Sequence, residues 1–139
     1  MLTFFYLRGT PSGEMIKIRG DSIDAYIAKP SSPGDTAILF LHDALGIRQN
    51  SKLLADGFAA RGFTTLLPDL FNGDVFPVPA PPGFDLMGWF VNGGNGDSPH
   101  LPPQVDPLVE AGLEALKGMG FSKIAAVGYC FGAKVRTFL

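Results

Sequence analysis

Lys123-Ile124-Ala125-Ala126-Val127-Gly128-Tyr129-Cys130-Phe131-Gly132-Ala133-Lys134 decides the fold. Lys123 to Val127 reads as a buried strand, a glycine follows at 128 and a cysteine two residues on, a second glycine stands at 132, and Ala133-Lys134-Val135 reads as a first helical turn. In a G-x-nucleophile-x-G turn of this kind, strand passes to helix so tightly that side chains two residues to either side of the nucleophile would meet neighbouring backbone. The turn pushes the reactive atom outward. At a helix start the free N–H groups and the macrodipole favour the thiolate, the nucleophilic form of cysteine. The Phe131 N–H is then placed to hold an oxyanion. The competing reading makes Cys130 a small buried apolar residue and the glycines an aid to close packing. The strand before, the helix after and two β-α units upstream favour the elbow.

Working back along the chain, 63–67 is a second buried strand closed by Pro68-Asp69, and Thr36–Leu41 is a continuous apolar run of the kind found in central parallel strands. Between them Leu54 with Phe58 and Ala55 with Ala59 recur four apart, with Asn50 or Ser51 able to cap and Gly62 standing at a helix C′ position. This is β-α-β, right-handed by default. Glu14–Ile18 and Ile23–Ala28 read as two further strands about a Gly20-Asp21-Ser22 turn, the second with Ile23, Ala25 and Ile27 inward and Asp24 and Tyr26 outward. Asp106 as cap with Pro107 at the first helical position opens a helix whose Leu108, Val109, Gly112, Leu113 and Leu116 share one side. From Leu70 to Pro103 no periodicity persists, and nine of the twelve prolines fall between Pro68 and Pro107. That length suggests a lid or binding loop, with a short helix near 84–90 and a flexible turn at Gly93-Gly94-Asn95-Gly96.

Composition narrows the classes. The 139 residues are 46% apolar and 17% charged, with a formal charge of −2, which suits one α/β domain. The longest apolar run, Ala37 to Leu41, falls far short of the roughly 18 residues of a membrane span, so no membrane partner is expected. Eleven basic residues against thirteen acidic ones, without a basic stripe, argue against nucleic acid. One cysteine excludes an intrachain disulfide and suits a reducing, cytoplasmic setting, and the apolar start Met1 to Arg8 lacks the basic region and cleavage site of a signal peptide. Two histidines and one cysteine without ligand spacing predict no metal and no cofactor. The turn after Leu41 carries neither glycine-rich nucleotide fingerprint. His42, at a strand end, reads as structural, and His100, among prolines, as a solvent-exposed side chain.

Three blocks resemble the dienelactone hydrolase family of α/β-hydrolases, and its fungal branch above all. They are Leu41-His42-Asp43-Ala44-Leu45-Gly46, then Gly62 through Pro68-Asp69-Leu70-Phe71-Asn72-Gly73-Asp74, then Ile124 through Lys134. The resemblance covers 14–139 and leaves 1–13 as a variable extension. It implies the N-terminal part of an α/β-hydrolase fold, a mostly parallel sheet flanked by helices, acting on small esters or lactones. It implies Cys130 as nucleophile, Asp43 as the acidic residue that assists its deprotonation, and Phe131 with Ala44 as oxyanion donors. For Asp43 the plainer reading is a loop-capping carboxylate. In this fold the triad acid and histidine follow the nucleophile, and the nine residues after Cys130 contain neither. The expectation is a chain truncated after its elbow and impaired as an enzyme. The alternative is a non-catalytic remnant that binds or self-associates through the sheet edge left beside 123–127.

Overall fold

The computed structural model describes residues 6–136. Its centre is a five-stranded sheet in the order β1-β2-β4-β3-β5, built from β1 (Glu14–Ile18), β2 (Ile23–Ala28), β3 (Thr36–Leu41), β4 (Thr64–Pro68) and β5 (Lys123–Gly128). The pairs β3·β4 and β3·β5 are parallel, while β1·β2 and β2·β4 are antiparallel. The sheet is therefore mixed, with its parallel part where the β-α-β reading places it. In β3 every residue from Ala37 to Leu41 is buried, because helices cover both faces and no face is left for polar alternation. The reading of 123–127 as a buried strand is corrected: β5 is only partly buried, with Lys123 and Ala125 exposed, because it stands at the end of the strand order among the described residues.

One face packs on α1 (Gln49–Ala59) and the other on α3 (Pro102–Gly118). This arrangement corrects the outward reading of Tyr26. Its ring is 2% exposed and belongs to the α1-side core with Ala28, Phe40, Ala55 and Leu67. Alternation put Tyr26 on the opposite face from Ile27 correctly, but that face is covered rather than wet. The hydroxyl donates to Asp56 Oδ1 at 2.7 Å and accepts from the Gly13 N–H at 2.6 Å. Residues 6–13 run along α1, with the Leu7 N–H donating to Asn50 Oδ1 and the Ser12 N–H to Asp56 Oδ2, each at 2.8 Å. The first five residues lie outside the described ones.

α1 starts with Arg48 as its cap, and Ser51 Oγ accepts the Arg48 N–H at 2.9 Å, so Ser51 serves from inside the first turn rather than as the cap itself. α3 begins five residues before expected, with Leu101 rather than Asp106 at the cap position. Pro102 and Pro103 occupy its first two positions, where a missing N–H loses nothing, and the Leu101 carbonyl accepts from Gln104 and Val105. The helix then runs through Pro107, because Val105, Val109 and Leu116 bury on one side of it. Gly112 allows the close approach, since a Cβ there would stand 2.7 Å from Leu39 Cδ1 and 3.2 Å from Pro68 Cγ.

Candidate active site

The parallel strands deliver their C-terminal ends to one rim of the sheet, where open α/β sheets place their sites. β5 ends there and α4 (Phe131–Arg136) begins after two intervening residues. Between them Cys130 is exposed with φ 52°, the left-handed region a side chain avoids. Both glycines of the motif are fixed by contact. A Cβ on Gly132 would fall on the Leu41 carbonyl, and one on Gly128 on the Gly132 carbonyl. The elbow is bonded to the end of β3: the Tyr129 N–H donates to Leu41 O at 3.3 Å and the Gly132 N–H to His42 O at 3.0 Å. These bonds bring Asp43 and Ala44, the next residues of the chain, beside the elbow.

Asp43 and Ala44 open a turn closed by the Gly46 N–H donating to Asp43 O at 3.2 Å. Asp43 Oδ1 accepts the Leu45 N–H at 2.8 Å, so the carboxylate caps this turn. Asp43 also lines two cavities. One, of about 440 Å³, is shared with Arg48, Asn50 and Val78; the other, of about 280 Å³, with Leu7, Phe40, Leu54 and Tyr129. Arg48, which the sequence reading did not single out, braces this rim by donating from Nε to Leu45 O at 2.9 Å and from Nη2 to Phe76 O at 2.6 Å. A cavity of about 360 Å³ beside Lys29, Ser31 and Gly62 opens where β3 and β4 begin, away from the elbow.

His42 is fully buried, and its tautomer follows from its partners. Nε2 accepts the Leu70 N–H at 2.9 Å, so Nδ1 carries the proton and donates to Asp43 O at 2.7 Å. Burial holds its pKa below the ordinary 6.5, against the opposing pull of the Asp43 carbonyl and the Asp69 carboxylate. Both ring nitrogens are thus engaged with backbone groups, one partner more than the single hydrogen bond expected of a strand-end histidine.

His100 is not the exposed side chain expected. It is 5% exposed, with Nε2 bonded to Asp74 Oδ2 at 2.8 Å and its ring 4.3 Å from Trp89 and 4.6 Å from Phe71. Its partner lies 26 residues away, a separation that leaves no local signal. The segment from Leu70 to Pro103 is likewise tied in by hydrogen bonds. α2 (Leu86–Asn92) starts at Asp85, whose side chain accepts the Gly88 N–H at 2.9 Å. The Gly93–Gly96 stretch forms a hydrogen-bonded turn, with the Gly94 N–H on Asp74 Oδ2 at 2.6 Å. Phe71 sits at the centre, with ring centroids of His42, Trp89, His100 and Phe131 all within 5.0 Å. Among the described residues no three His, Cys, Asp or Glu side chains gather as metal ligands, and no helix is long and apolar enough to cross a membrane.

The family model for the dienelactone hydrolase family matches residues 23–139. The chain is 43% identical over 129 residues to hydrolase pyvD of Aspergillus violaceofuscus, covering 91% of this chain and 49% of that protein. It is 36% identical over 138 residues to dienlactone hydrolase 1 of Gibberella moniliformis, covering 92% and 49%. The chain thus spans about half the length of the curated relatives it matches. Among solved structures, a putative dienelactone hydrolase from Klebsiella pneumoniae superposes with a TM-score of 0.61 at 19% identity, over 87% of this chain and 50% of that one, which is a likeness of fold.

Proposed function

Because this chain belongs to the dienelactone hydrolase family, we propose that it carries the nucleophile and oxyanion donors of a hydrolase that cleaves small esters or lactones through Cys130. The Cys130 thiol gives its proton to the Asp43 carboxylate, and Sγ attacks the carbonyl carbon. The oxyanion is held by the N–H groups of Phe131 and Ala44. The C–O bond then breaks, the alkoxide takes the proton back from Asp43, and an acyl-cysteine remains. Water attacks it, the acid departs, and the thiol is restored. The observation that carries this reading is Cys130 itself, a non-glycine residue held at φ 52° between two glycines whose Cβ positions are filled by backbone. Strain kept in this way points to function. An exposed thiol nucleophile suits a reducing compartment such as the cytoplasm.

The acid and histidine that complete the triad follow the nucleophile in this fold, and residues 131–139 hold neither. We therefore expect the 139-residue polypeptide, taken by itself, to form an acyl-cysteine but to turn it over about 10²–10⁴-fold more slowly than a protein with the full triad. The test is intact-mass detection of acylation by an activated aryl ester, with Cys130→Ala beside it. Stoichiometric acylation lost in Cys130→Ala supports the reading; acylation unaffected by that change overturns it.

A second reading rests on β5. Among the described residues it pairs with β3 on one side and with no strand on the other. A non-catalytic module would associate there. Concentration-dependent dimers on sizing, together with no acylation, would favour it.

A further inference from the structure

We propose that Asp74 and His100 form a latch that holds the aromatic segment around α2 against Phe131, making both positioning residues for the oxyanion donor next to Cys130. The inference rests on the reading of Cys130 as nucleophile. One oxygen, Asp74 Oδ2, accepts from His100 Nε2 at 2.8 Å and from the Gly94 N–H at 2.6 Å. It therefore ties together the start of the segment, the turn after α2 and the segment's end. The His100 N–H donates to Phe90 O at 2.8 Å, so the histidine grips α2 by its backbone as well as by its ring on Trp89.

From this clasp the contacts lead to the elbow by two routes. Phe71 touches His100 and also Phe131, with ring centroids 4.6 and 5.0 Å away. Phe90 stacks on Phe131 with centroids 5.6 Å apart and planes 13° from parallel. The Phe131 ring is thus packed by two residues that the clasp controls, and its N–H opens α4. His100 itself is engaged with Asp74 and reaches Phe131 through Phe71, so its role is positional. The pair is also costly to break: the His100 side chain is 3% exposed, and a buried donor left without its acceptor is unfavourable.

Trp89 is the single tryptophan, 3% exposed and in ring contact with His100, so its emission reports the latch independently of any chemistry. The experiment compares the full 139-residue chain with His100→Leu, His100→Gln and Asp74→Ala, measuring Trp89 emission, acrylamide quenching, far-UV circular dichroism and the rate of Cys130 acylation by an activated ester. Removing the donor in His100→Leu, or the acceptor in Asp74→Ala, is expected to shift Trp89 emission to the red and open it to quencher with the sheet intact. Acylation slows about tenfold or more, the scale on which a displaced catalytic group loses rate. His100→Gln keeps a donor near the Nε2 position and restores most of both signals. Unchanged Trp89 emission in a folded His100→Leu overturns the latch, and exposed Trp89 with an unchanged acylation rate overturns the positioning. Should His100→Leu not fold, Asp74→Ala decides by the same readings. Failure of the nucleophile reading looks different: acylation is then independent of Cys130, or absent, in the unaltered chain, whatever Trp89 reports.

Discussion

The elbow at 128–132 and the segment from Asp69 to Leu101 meet at the same rim, in the contacts of Phe131, yet they are held by opposite means. The elbow is fixed by backbone: two glycines with no room for a Cβ, and two N–H groups bonded to the last carbonyls around β3. The longer segment has backbone bonds of its own, such as the His100 N–H to Phe90 O, and is tied together beyond them by side chains: Asp69 accepting from Phe71 and Gly73, Asp74 clasping His100 and Gly94, and rings meeting around Phe71. A backbone-defined turn has nowhere to go when one atom is added. A side-chain-defined segment can shift locally when it loses one contact while the sheet beneath it stays intact.

Gly132→Ala presses hardest on that difference. Its Cβ would occupy the Leu41 carbonyl oxygen, a rigid backbone atom at the end of the buried run 37–41, so the elbow must pull away from β3. The expected loss is about 4 kcal/mol or more, at the upper end for single substitutions, read from urea unfolding followed by far-UV circular dichroism. A loss under about 1 kcal/mol would mean that the elbow adapts as the longer segment does, and the contrast between the two regions would be broken.

The same contrast explains what could be read from the sequence. Gly128, Cys130 and Gly132 announce themselves because a steric demand of one turn is written within five residues. The strands and α1 follow from runs and spacings that are local too. The Asp74–His100 pair is invisible by comparison, since nothing near a histidine flanked by prolines says that a carboxylate 26 residues earlier will bury it. Tyr26 failed for a related reason: alternation fixes which face a residue takes, whereas the helix that covers that face comes from elsewhere in the chain. The start of α3 differs from the local reading because proline fits the first helical positions at 102–103 as well as at 107, and burial of Val105 selects the earlier although Leu101 provides no side-chain cap. Asp43 remains double in meaning, since a carboxylate that caps the Leu45 N–H in the resting chain is also the acidic group nearest in sequence to the β3–elbow junction.

His42 joins the two regions, donating to Asp43 O at the rim and accepting from Leu70, where the longer segment departs. Its folded pKa lies below 6.5 because burial disfavours the charged ring. The unfolded chain therefore binds the proton first as pH falls. The stability His42 contributes is complete above about pH 6.5 and declines below it, with a slope approaching ~1.4 kcal/mol per pH unit until the folded chain also binds the proton. Urea unfolding between pH 7.5 and 5 should show this decline, and His42→Gln should flatten it. Equal slopes in the two proteins would move the acid sensitivity to other groups and remove His42 as the joint.

The smallest effect is the most discriminating, because its sign depends on the elbow being strained for a purpose. Cys130 occupies a left-handed conformation that is disfavoured by roughly 1–2 kcal/mol for residues with a side chain. Glycine adopts it freely but loses more chain entropy on folding, which returns part of that gain. Cys130→Gly is therefore expected to stabilise the chain by about 0.5–1 kcal/mol, seen as a higher urea midpoint at unchanged slope, while abolishing acylation. A polar, exposed thiol contributes little packing to offset this. If Cys130→Gly proved less stable than the parent, the side chain would be holding the turn, and the elbow would join the longer segment as a structure built by side chains. A gain in stability together with lost chemistry would mean that the chain keeps a poorer turn for the sake of where it puts one sulfur atom.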